Sequence, residues 1–257
     1  MSEPEIVRHS DAGALADSVA LKLVNMIVQA EADKRDFHLV LTGGGIGIRT
    51  LEAVRDHALE AGIGWSHVHL WWGDERFLPD KDPERNETQA CAALIDAVPV
   101  PAHNVHPMPA SDGLDGDHVE HAATRYGREL AVAARARGPV PVFDVCLLGV
   151  GPDAHVASLF PGLPGVREDE ASVAAVHDSP KPPPRRITLT LPSIRTAREV
   201  WVLASGEGKA EAVRLGLAGG SVDEAPVAGG ARGGCGPPLG GFGVVVGGSG
   251  GPPVLVA

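Results

Sequence analysis

Apolar and polar residues follow two periods along this chain. In the longer segments apolar positions recur every three or four residues, which is typical of helices that bury one face. In the shorter segments five or six consecutive residues are mostly apolar, which is typical of buried strands. Helices are predicted over about residues 11–34, 47–62, 86–97, 116–137 and 206–217, and strands over 37–42, 67–72, 143–148, 186–191 and 199–204. Asp11 and Asn86 are the expected N-caps of the first and third helices.

The alternation of strands and helices predicts an α/β fold with one open, mainly parallel sheet and helices on both faces. In such folds ligands bind beyond the carboxyl ends of the strands. Three predicted strands end in unusual polar loops: TGGGIG at 42–47, WGDERFLPDKDPERNE at 72–87 and GVGPDAHVASLFPG at 149–162. Loops that leave the same edge of a parallel sheet converge in space, so we expect these three to form one active site.

Composition and charge narrow the range of functions. With 257 residues and 44% hydrophobic content, the chain can bury one large core or two small ones. The net charge of −11 disfavours nucleic-acid binding, and an anionic substrate would need a local group of cations. The polar N-terminus is not a signal peptide, no uncharged apolar run reaches membrane-spanning length before Arg232, and the three cysteines include no CxxC pair. These features favour a cytoplasmic protein.

The C-terminal segment differs from the rest of the chain. After Arg232 there is no charged residue, and glycine and proline dominate. This composition disfavours regular structure. We therefore expect a single α/β domain over residues 1–226 and an atypical Gly/Pro-rich tail over residues 227–257.

The first two loops carry groups suited to an anionic ligand. Gly43, Gly44 and Gly45 lie between a strand and a helix, where backbone N–H groups and the helix dipole can hold a phosphate or a sugar. A tight strand–helix turn is the alternative, and the segment is neither a P-loop nor a GxGxxG dinucleotide site. In the second loop, Asp74 and Arg76 follow two tryptophans. The arginine offers donors for phosphate oxygens, and a solvated charged loop is the alternative.

A further group of cations lies in the segment KPPPRR. Lys181, Arg185 and Arg186 form a basic cluster in an acidic chain, and the prolines between them stiffen the approach to the next strand. An incidental charged surface loop is the alternative. Lys209, at the start of the last predicted helix, is equally compatible with a site role and with solvation.

The loop after the strand at 143–148 contains the best candidate for proton transfer. An unperturbed histidine titrates near neutral pH, which suits His155 to proton transfer, and Asp153 lies two residues earlier, where it can orient the imidazole or its water. Ser158 lacks the GxSxG elbow of a serine nucleophile. Acyl-enzyme chemistry is therefore disfavoured, and a structural role is expected for Ser158.

No metal site is expected from the sequence. His67 and His69 share a strand face, and His118 and His121 share a helix face. Neither pair has an evident third ligand nearby, which favours packing or surface roles.

Together the four loops resemble the 6-phosphogluconolactonase family. The matching segments are LTGGGIGI, WGDERFLPDKDPERNETQA, LLGVGPDAHVASLFPG and KPPPRRITLT, and they run in the family's order across about residues 37–215. The family is similar in fold to the glucosamine-6-phosphate isomerases/deaminases, with an open, Rossmann-like α/β sheet. Those relatives carry an AFNEP-like continuation after the histidine and a DEY-like turn, whereas this chain has ASLFPG and WGDER. The resemblance therefore favours the lactonase.

The resemblance implies hydrolysis of 6-phospho-D-glucono-1,5-lactone to 6-phosphogluconate in the oxidative pentose phosphate pathway, without a metal or an organic cofactor. It implies that His155 is the general base and that Asp153 orients it. Residues at matching positions would bind the substrate: Thr42, Gly43, Gly44, Asp74, Arg76, Asn86, Gly151, Lys181 and Arg186. Of these, Arg76, Lys181 and Arg186 would hold the phosphate and stabilise developing negative charge. The expected partner is this sugar phosphate, with no nucleic acid or membrane, and the expected assembly is a monomer or weak homo-oligomer.

Two other functions stay open. The first is a sugar-phosphate isomerase/deaminase, which would release ammonia from an amino sugar phosphate. The second is a non-catalytic sugar-phosphate sensor, which would usually carry a helix-turn-helix module. The chain shows neither the pattern nor the length for such a module, and His155 favours catalysis.

The chain departs from the family pattern at several positions. Ala154 stands where the family usually has glycine, and it adds about 1 kcal/mol of strain or more if the backbone there needs a positive φ. Ile46 replaces a usual Ser or Thr after the glycines, and Arg185 replaces a commonly acidic residue. Resemblance fades in the tail, where a reading frame shifted near Ala228 and a natural low-complexity tail are the two hypotheses. A shifted frame could leave a terminal strand missing.

Overall fold

The computed structural model describes residues 5–230 and the backbone of residues 242–247. The helices are α1 (Ala12–Ala32), α2 (Gly44–Ala61), α3 (Asn86–Ala93), α4 (Val119–Ala133), α5 (Leu191–Ile194), α6 (Ala210–Leu217) and α7 (Val227–Gly230). The strands are β1 (Glu5–His9), β2 (Phe37–Leu41), β3 (Val68–Trp72), β4 (Asp74–Arg76), β5 (Val145–Gly149), β6 (Val173–Val176), β7 (Arg186–Leu189), β8 (Glu199–Ser205) and β9 (Phe242–Gly247). Each helix and strand predicted from the sequence is present, with its ends shifted by no more than four residues.

Six parallel strands form the central sheet, in the order β1-β9-β8-β5-β2-β3. Its middle strands are buried on both faces, as β2 shows, where only His38 of the five residues keeps partial exposure. Burial on both faces requires helices on both sides of the sheet. The prediction of an open, mainly parallel sheet with flanking helices is confirmed.

Helix α1 begins at the predicted cap. The Asp11 carboxylate accepts a hydrogen bond from the backbone N–H of Ala14 at 2.9 Å. The helix buries one face in the core. This face consists of Leu15, Ala16, Val19, Ala20, Leu23, Val24, Ile27 and Ala30. Among the described helices, α1 alone is long and apolar enough to cross a membrane. Because the core helices of globular proteins pass the same test, this finding is weak evidence for a membrane segment.

A second, antiparallel sheet of three strands continues from the end of β3. Its order is β4-β7-β6, and Gly73 alone separates β3 from β4. The segment 186–191, which the sequence predicts as one more strand of an α/β alternation, contributes β7 to this second sheet. The register pairs Arg76 with Arg186. Two cations from distant parts of the chain are thereby brought side by side.

The prediction that Asn86 caps helix α3 is wrong. Asn86 is the first helical residue, and Arg85 before it makes no side-chain cap. The cap comes from strand β4, where the Glu75 carboxylate accepts hydrogen bonds from the N–H groups of Asn86 and Glu87 at 2.7 and 2.8 Å. A cap supplied by another segment leaves no local sequence signal, because the usual signal is a polar residue just before the helix.

Strand β9 lies inside the segment set apart by its Gly/Pro-rich composition. Its backbone pairs with β8 on one side and with β1 on the other. The sequence FGVVVG is rich in valine, whose branched side chain favours strands. The hypotheses of a shifted reading frame and of disorder fall largely on residues 231–241 and 248–257, which lie outside the described residues, and they stay predictions.

Candidate active site

A cleft of about 540 Å³ opens at the carboxyl ends of the parallel strands, where residues that follow β2 and β5 meet residues of the second sheet. Most of the predicted site residues line it: Thr42, Gly43, Gly44, Asp74, Arg76, Asn86, Gly151, His155, Lys181 and Arg186. Asp153 is not part of the lining, but it contacts His155 and Lys181. The three polar loops and the KPPPRR segment therefore meet in one place.

The glycine loop forms one wall of the cleft. Gly43 precedes helix α2 without a side-chain cap, and Gly44 has a φ of 79°, a left-handed conformation that favours glycine. The first N–H groups of α2 therefore have no partner within the helix and are accessible to a ligand. A side chain on Gly43 would overlap the amide of Asn86. Thr42 Oγ1 accepts a hydrogen bond from the N–H of Gly149 at 3.0 Å, which joins the ends of β2 and β5.

His155 lies between a carboxylate and an ammonium group. Its Nδ1 is 2.6 Å from Asp153 Oδ1 and 3.2 Å from Lys181 Nζ. Lys181 Nζ also lies 3.3 Å from the same carboxylate oxygen. An unprotonated Nδ1 would face the carboxylate oxygen lone pair to lone pair, so the proton of the neutral ring belongs on Nδ1. Nε2 then keeps its lone pair.

The backbone of the histidine loop is tightly constrained. A side chain on Gly151 would overlap both the His155 ring and the Asp153 carboxylate, so this position requires glycine. Ala154 is fully buried and has a φ of 65°. A positive φ is the condition under which alanine at this position is expected to add strain. The His155 ring also packs against Phe160, with ring centroids 4.6 Å apart. These contacts hold the imidazole in one orientation.

Burial and charge set the protonation states of this group. Burial lowers the pKa of His155 below its ordinary value, the Lys181 ammonium acts in the same direction, and Asp153 opposes both. Burial alone would raise the pKa of Asp153, but the hydrogen bond and charge of His155, together with Lys181, lower it. At neutral pH the ring is therefore neutral and the carboxylate ionised, which is the combination that a general base needs.

Asp74 connects three elements of the cleft. Its Oδ2 accepts a hydrogen bond from Ser158 Oγ at 2.6 Å and lies 3.9 Å from Arg186 Nη1. Asn86 Nδ2 donates to the backbone carbonyl of Asp74 at 2.8 Å. Since the Ser158 hydroxyl is buried and committed to Asp74, its contacts fit a structural role rather than that of a nucleophile.

Arg76 and Arg186 are held mainly by backbone carbonyls. Arg186 is buried and donates to three carbonyls of the segment 181–183. Arg76 Nη1 donates to the carbonyl of Glu84 at 2.6 Å. Carbonyl acceptors orient a guanidinium without neutralising its charge, so both groups keep the cleft positive. Arg185 does not line the cleft and pairs with an exposed carboxylate.

Two further cations line the cleft beside the predicted set. Arg49 belongs to α2 and was not predicted, because an exposed arginine on an amphipathic helix is ordinarily solvated. Lys209, whose role could not be decided from the sequence, follows β8. Burial lowers the pKa of Lys209, Lys181 acts in the same direction, and Asp153 opposes both. Neither Arg49 nor Lys209 pairs with a carboxylate in the part of the chain that the structure describes.

No group of three or more His, Cys, Asp or Glu side chains within the described residues is arranged to hold a metal ion. His67 Nδ1 lies 3.3 Å from Asp36, and His69 Nδ1 lies 3.1 Å from His106 Nε2. The rings of the other pair, His118 and His121, are 5.2 Å apart. The two histidine pairs are therefore in contact with ordinary protein groups.

Comparison with known proteins places these features in a family. The family of glucosamine-6-phosphate isomerases/6-phosphogluconolactonase matches residues 10–234. A 6-phosphogluconolactonase of Streptomyces coelicolor is 54% identical over 232 residues, which cover 90% of this chain and 88% of that protein. One of Mycobacterium tuberculosis is 49% identical over 219 residues, covering 85% and 88%. The structure of the 6-phosphogluconolactonase from Trypanosoma brucei is similar with a TM-score of 0.79 at 29% identity, covering 96% of this chain and 97% of that one.

Proposed function

Because the chain belongs to the family of glucosamine-6-phosphate isomerases and 6-phosphogluconolactonases, we propose that it hydrolyses 6-phospho-D-glucono-1,5-lactone to 6-phosphogluconate in the oxidative pentose phosphate pathway. The relatives at 54% and 49% identity carry the lactonase name. The observation that carries the proposal is the neutral imidazole of His155, which keeps an open nitrogen in a cleft lined by cations.

The proposed reaction begins with His155 as general base. Nδ1–H donates to Asp153, so Nε2 takes a proton from water while the water oxygen attacks the lactone carbonyl carbon. The carbonyl oxygen becomes negatively charged, and Lys181 is the nearest cation to the imidazole that can stabilise it. The bond to the ring oxygen then breaks, and the leaving oxygen takes the proton from the imidazolium. The product is an open-chain carboxylic acid, which ionises in water.

The cations of the cleft serve both ends of the substrate. Arg49 and Lys209 form no ion pair with a carboxylate among the described residues, and backbone carbonyls hold Arg76 and Arg186 without neutralising them. A dianionic phosphate gains most from cations whose charge is not already compensated and from the uncapped N–H groups of α2. Arg49 and Lys209 therefore join Arg76, Lys181 and Arg186 in holding the phosphate. Lys181, which lies next to the imidazole, also acts with Arg76 and Arg186 on the developing negative charge at the lactone.

The remaining parts of the proposal concern the surroundings of the reaction. General-base hydrolysis needs no metal and no organic cofactor, because the imidazole supplies the proton transfer. We also propose a cytoplasmic location, a monomer or weak homo-oligomer, and no nucleic-acid or membrane partner. The net charge of −11 supports the absence of a nucleic-acid partner.

An assay of two substrates tests the proposal. Freshly prepared 6-phosphogluconolactone should be hydrolysed faster than its spontaneous rate, which is subtracted, and glucosamine-6-phosphate should release no ammonia. The competing isomerase/deaminase function predicts the reverse pattern. Binding of sugar phosphates without turnover of either compound would favour the sensor and contradict the proposal.

A further inference from the structure

Glu75 is a buried carboxylate that the proposed reaction does not use. Its side chain is completely shielded from solvent. Its chain neighbours Asp74 and Arg76 both line the cleft. An ionisable group in such a position is stable only when its oxygens are hydrogen-bonded.

Both oxygens of Glu75 accept hydrogen bonds from backbone N–H groups. Oε1 accepts from Arg76 at 2.8 Å and from Asn86 at 2.7 Å, and Oε2 accepts from Glu87 at 2.8 Å. Arg76 and Asn86 flank the loop 77–85, so one carboxylate closes that loop. Asn86 and Glu87 begin helix α3, and N–H groups at that position have no partner within a helix.

Arg85 balances the charge of Glu75. Its Nη2 lies 3.9 Å from Glu75 Oε2 and donates to Glu87 Oε2 at 3.0 Å and to the carbonyl of Met108 at 2.8 Å. Burial raises the pKa of Glu75 to about 7, while Arg85 and the backbone N–H groups favour the ionised form. Since three N–H groups point at the two oxygens, the geometry is that of the carboxylate.

Asn86 connects this cap to the cleft. Its Nδ2 donates to the carbonyl of Asp74, whereas its Oδ1 is buried and has no hydrogen-bond partner among the described residues. Asn86 is 3% exposed, and its Oδ1 lies against Gly43 in the cleft wall. A buried acceptor without a partner destabilises a protein unless a ligand supplies the donor.

We propose that Glu75 is a positioning residue: by capping α3 from strand β4, it fixes Asn86 so that Oδ1 accepts a hydrogen bond from a hydroxyl group of the sugar phosphate. The inference rests on the proposed function, because it takes the donor from that substrate. Glu75 acts through Asn86 and does not touch the substrate.

A double-mutant cycle tests the coupling between the two residues. Glu75→Gln keeps the size of the side chain but turns an NH₂ group toward an N–H donor of α3. We expect KM to rise about 5- to 10-fold with kcat nearly unchanged, because a hydrogen bond made throughout the reaction is weakened. Asn86→Ala should act similarly, and the double variant should lose less kcat/KM than the product of the single losses. A double variant that loses the full product overturns the proposal.

Asp144→Asn is the matched control for lost stability. Asp144 is also buried, accepts a backbone N–H bond from His38 at 2.9 Å and pairs with Arg35 at 2.6 Å, but it lies before β5, at the opposite edge of the sheet. We expect it to lower the melting temperature without raising KM. If it raises KM as much as Glu75→Gln does, the effect of Glu75 is general destabilisation and the proposal is wrong.

Amide hydrogen exchange of the wild-type protein tests the cap without a variant. The amides of Asn86 and Glu87 should exchange much more slowly than those of Gly44 and Gly45, the exposed first-turn amides of uncapped α2. Equal rates at the two helix starts overturn the proposal, even if Glu75→Gln does not fold.

Failure of the proposed function would give a different result. A wild-type protein that does not accelerate lactone hydrolysis contradicts the function, not the cap. The dissociation constant of 6-phosphogluconate, measured by calorimetry, then replaces KM in the same cycle. Equal affinity of wild type and Glu75→Gln in that measurement counts against the role of Glu75.

Discussion

His155 and the histidines at the amino edge of the same sheet use their ring nitrogens differently. His155 follows β5 at the carboxyl edge and commits only Nδ1, to Asp153. His38 and His69 are the second residues of the neighbouring strands β2 and β3, at the opposite edge. His38 accepts a hydrogen bond from an indole N–H at 3.1 Å, and His69 shares one with His106 at 3.1 Å.

The amino-edge histidines form a stack. The ring centroids of His38 and His69 are 4.7 Å apart, and those of His69 and His106 are 5.4 Å apart. His106 also stacks on Trp71 at 3.8 Å, and its Nδ1 lies 2.8 Å from Glu129. The protein thus uses the faces and edges of these rings for packing and hydrogen bonding.

A lowered pKa does not distinguish the two groups. Burial lowers the pKa of His38 to about 4 and also lowers the pKa values of His69 and His155. The difference lies in the ring nitrogens: His155 keeps Nε2 open in a cleft, whereas the stacked rings direct nitrogens to an indole N–H, to each other and to the Glu129 carboxylate. A perturbed histidine is therefore a candidate base only where a nitrogen stays open to a ligand.

Replacement of His155 should have the largest effect. We expect His155→Ala to lower kcat for 6-phosphogluconolactone about 10²- to 10⁴-fold, because general-base catalysis is lost. His69→Gln, which changes a histidine at the other edge whose pKa burial also lowers, should leave kcat close to wild type. Initial rates with the spontaneous hydrolysis subtracted measure both. A His155→Ala enzyme with wild-type kcat, or a His69→Gln enzyme as impaired as His155→Ala, would remove the distinction between the two edges.

The histidine stack should instead control stability at acid pH. The folded pKa of His38, about 4, is below its unfolded value of 6.5, so the unfolded chain binds more protons between these values. Its contribution is complete above pH 6.5 and is lost as the pH falls toward 4. By linkage the loss amounts to about 3 kcal/mol at most. Denaturant unfolding at several pH values between 7 and about 4.5 measures it.

His38→Gln isolates the contribution of this imidazole. The amide can still accept the bond from the Trp71 indole but does not titrate. We expect a shallower dependence of the free energy of unfolding on pH than in the wild type. Other titratable or charged groups face the stack, namely Asp36, His69, His106 and Arg135, so some dependence should remain. A variant with the wild-type slope would mean that His38 is not responsible.

Lys209 offers a similar contrast with Lys22 at the amino edge. We expect Lys209→Ala to raise KM about 10- to 100-fold, because a charge-assisted bond to the phosphate is lost, with a small change in kcat. Lys22→Ala removes an ammonium group 3.0 Å from Glu199 and should leave KM unchanged. Steady-state kinetics with glucono-1,5-lactone, which lacks the phosphate, should show no difference between Lys209→Ala and wild type. A persistent difference would place the role of Lys209 elsewhere.

The parts of the fold with a regular period could be predicted from the sequence. The apolar spacing of α1 and the short apolar strands of the parallel sheet each carry a local signal. Strand β4 does not, because its three residues, Asp74 to Arg76, are all charged and it exists only by pairing with β7. Predicted strand ends were sufficient to locate the cleft, since loops at the carboxyl edge of a parallel sheet must meet.

The contacts within the site could be predicted only in part. His155 and Asp153 are two residues apart, so their contact is local and visible in the sequence. The cap of α3 by Glu75 joins positions eleven residues apart through a sheet that the sequence did not predict. Arg49 carries no pattern at all, because its role depends on which way α2 faces. Distant contacts of this kind require the tertiary fold.

Ala154 is expected to give the smallest effect. Its left-handed backbone stores about 1–2 kcal/mol of strain, which Ala154→Gly would relieve. Glycine would also destabilise the protein in two ways. It would remove a fully buried methyl group, worth about 0.8 kcal/mol, and it would lower the free energy of the unfolded chain by about 0.4–1 kcal/mol through its greater conformational entropy. These contributions nearly cancel. We expect a change in the free energy of unfolding below about 1 kcal/mol and an unchanged kcat, measured by denaturant unfolding and the lactone assay.

Lys34 at the amino edge separates the two contributions. It also has a positive φ, 52°, but it is exposed, so Lys34→Gly relieves strain without losing buried apolar surface. Lys34→Gly should therefore stabilise the protein more than Ala154→Gly does. If the two substitutions stabilise equally, the Ala154 methyl group contributes nothing to the core. Burial of the methyl group would then not explain why the fold accepts a strained alanine beside His155.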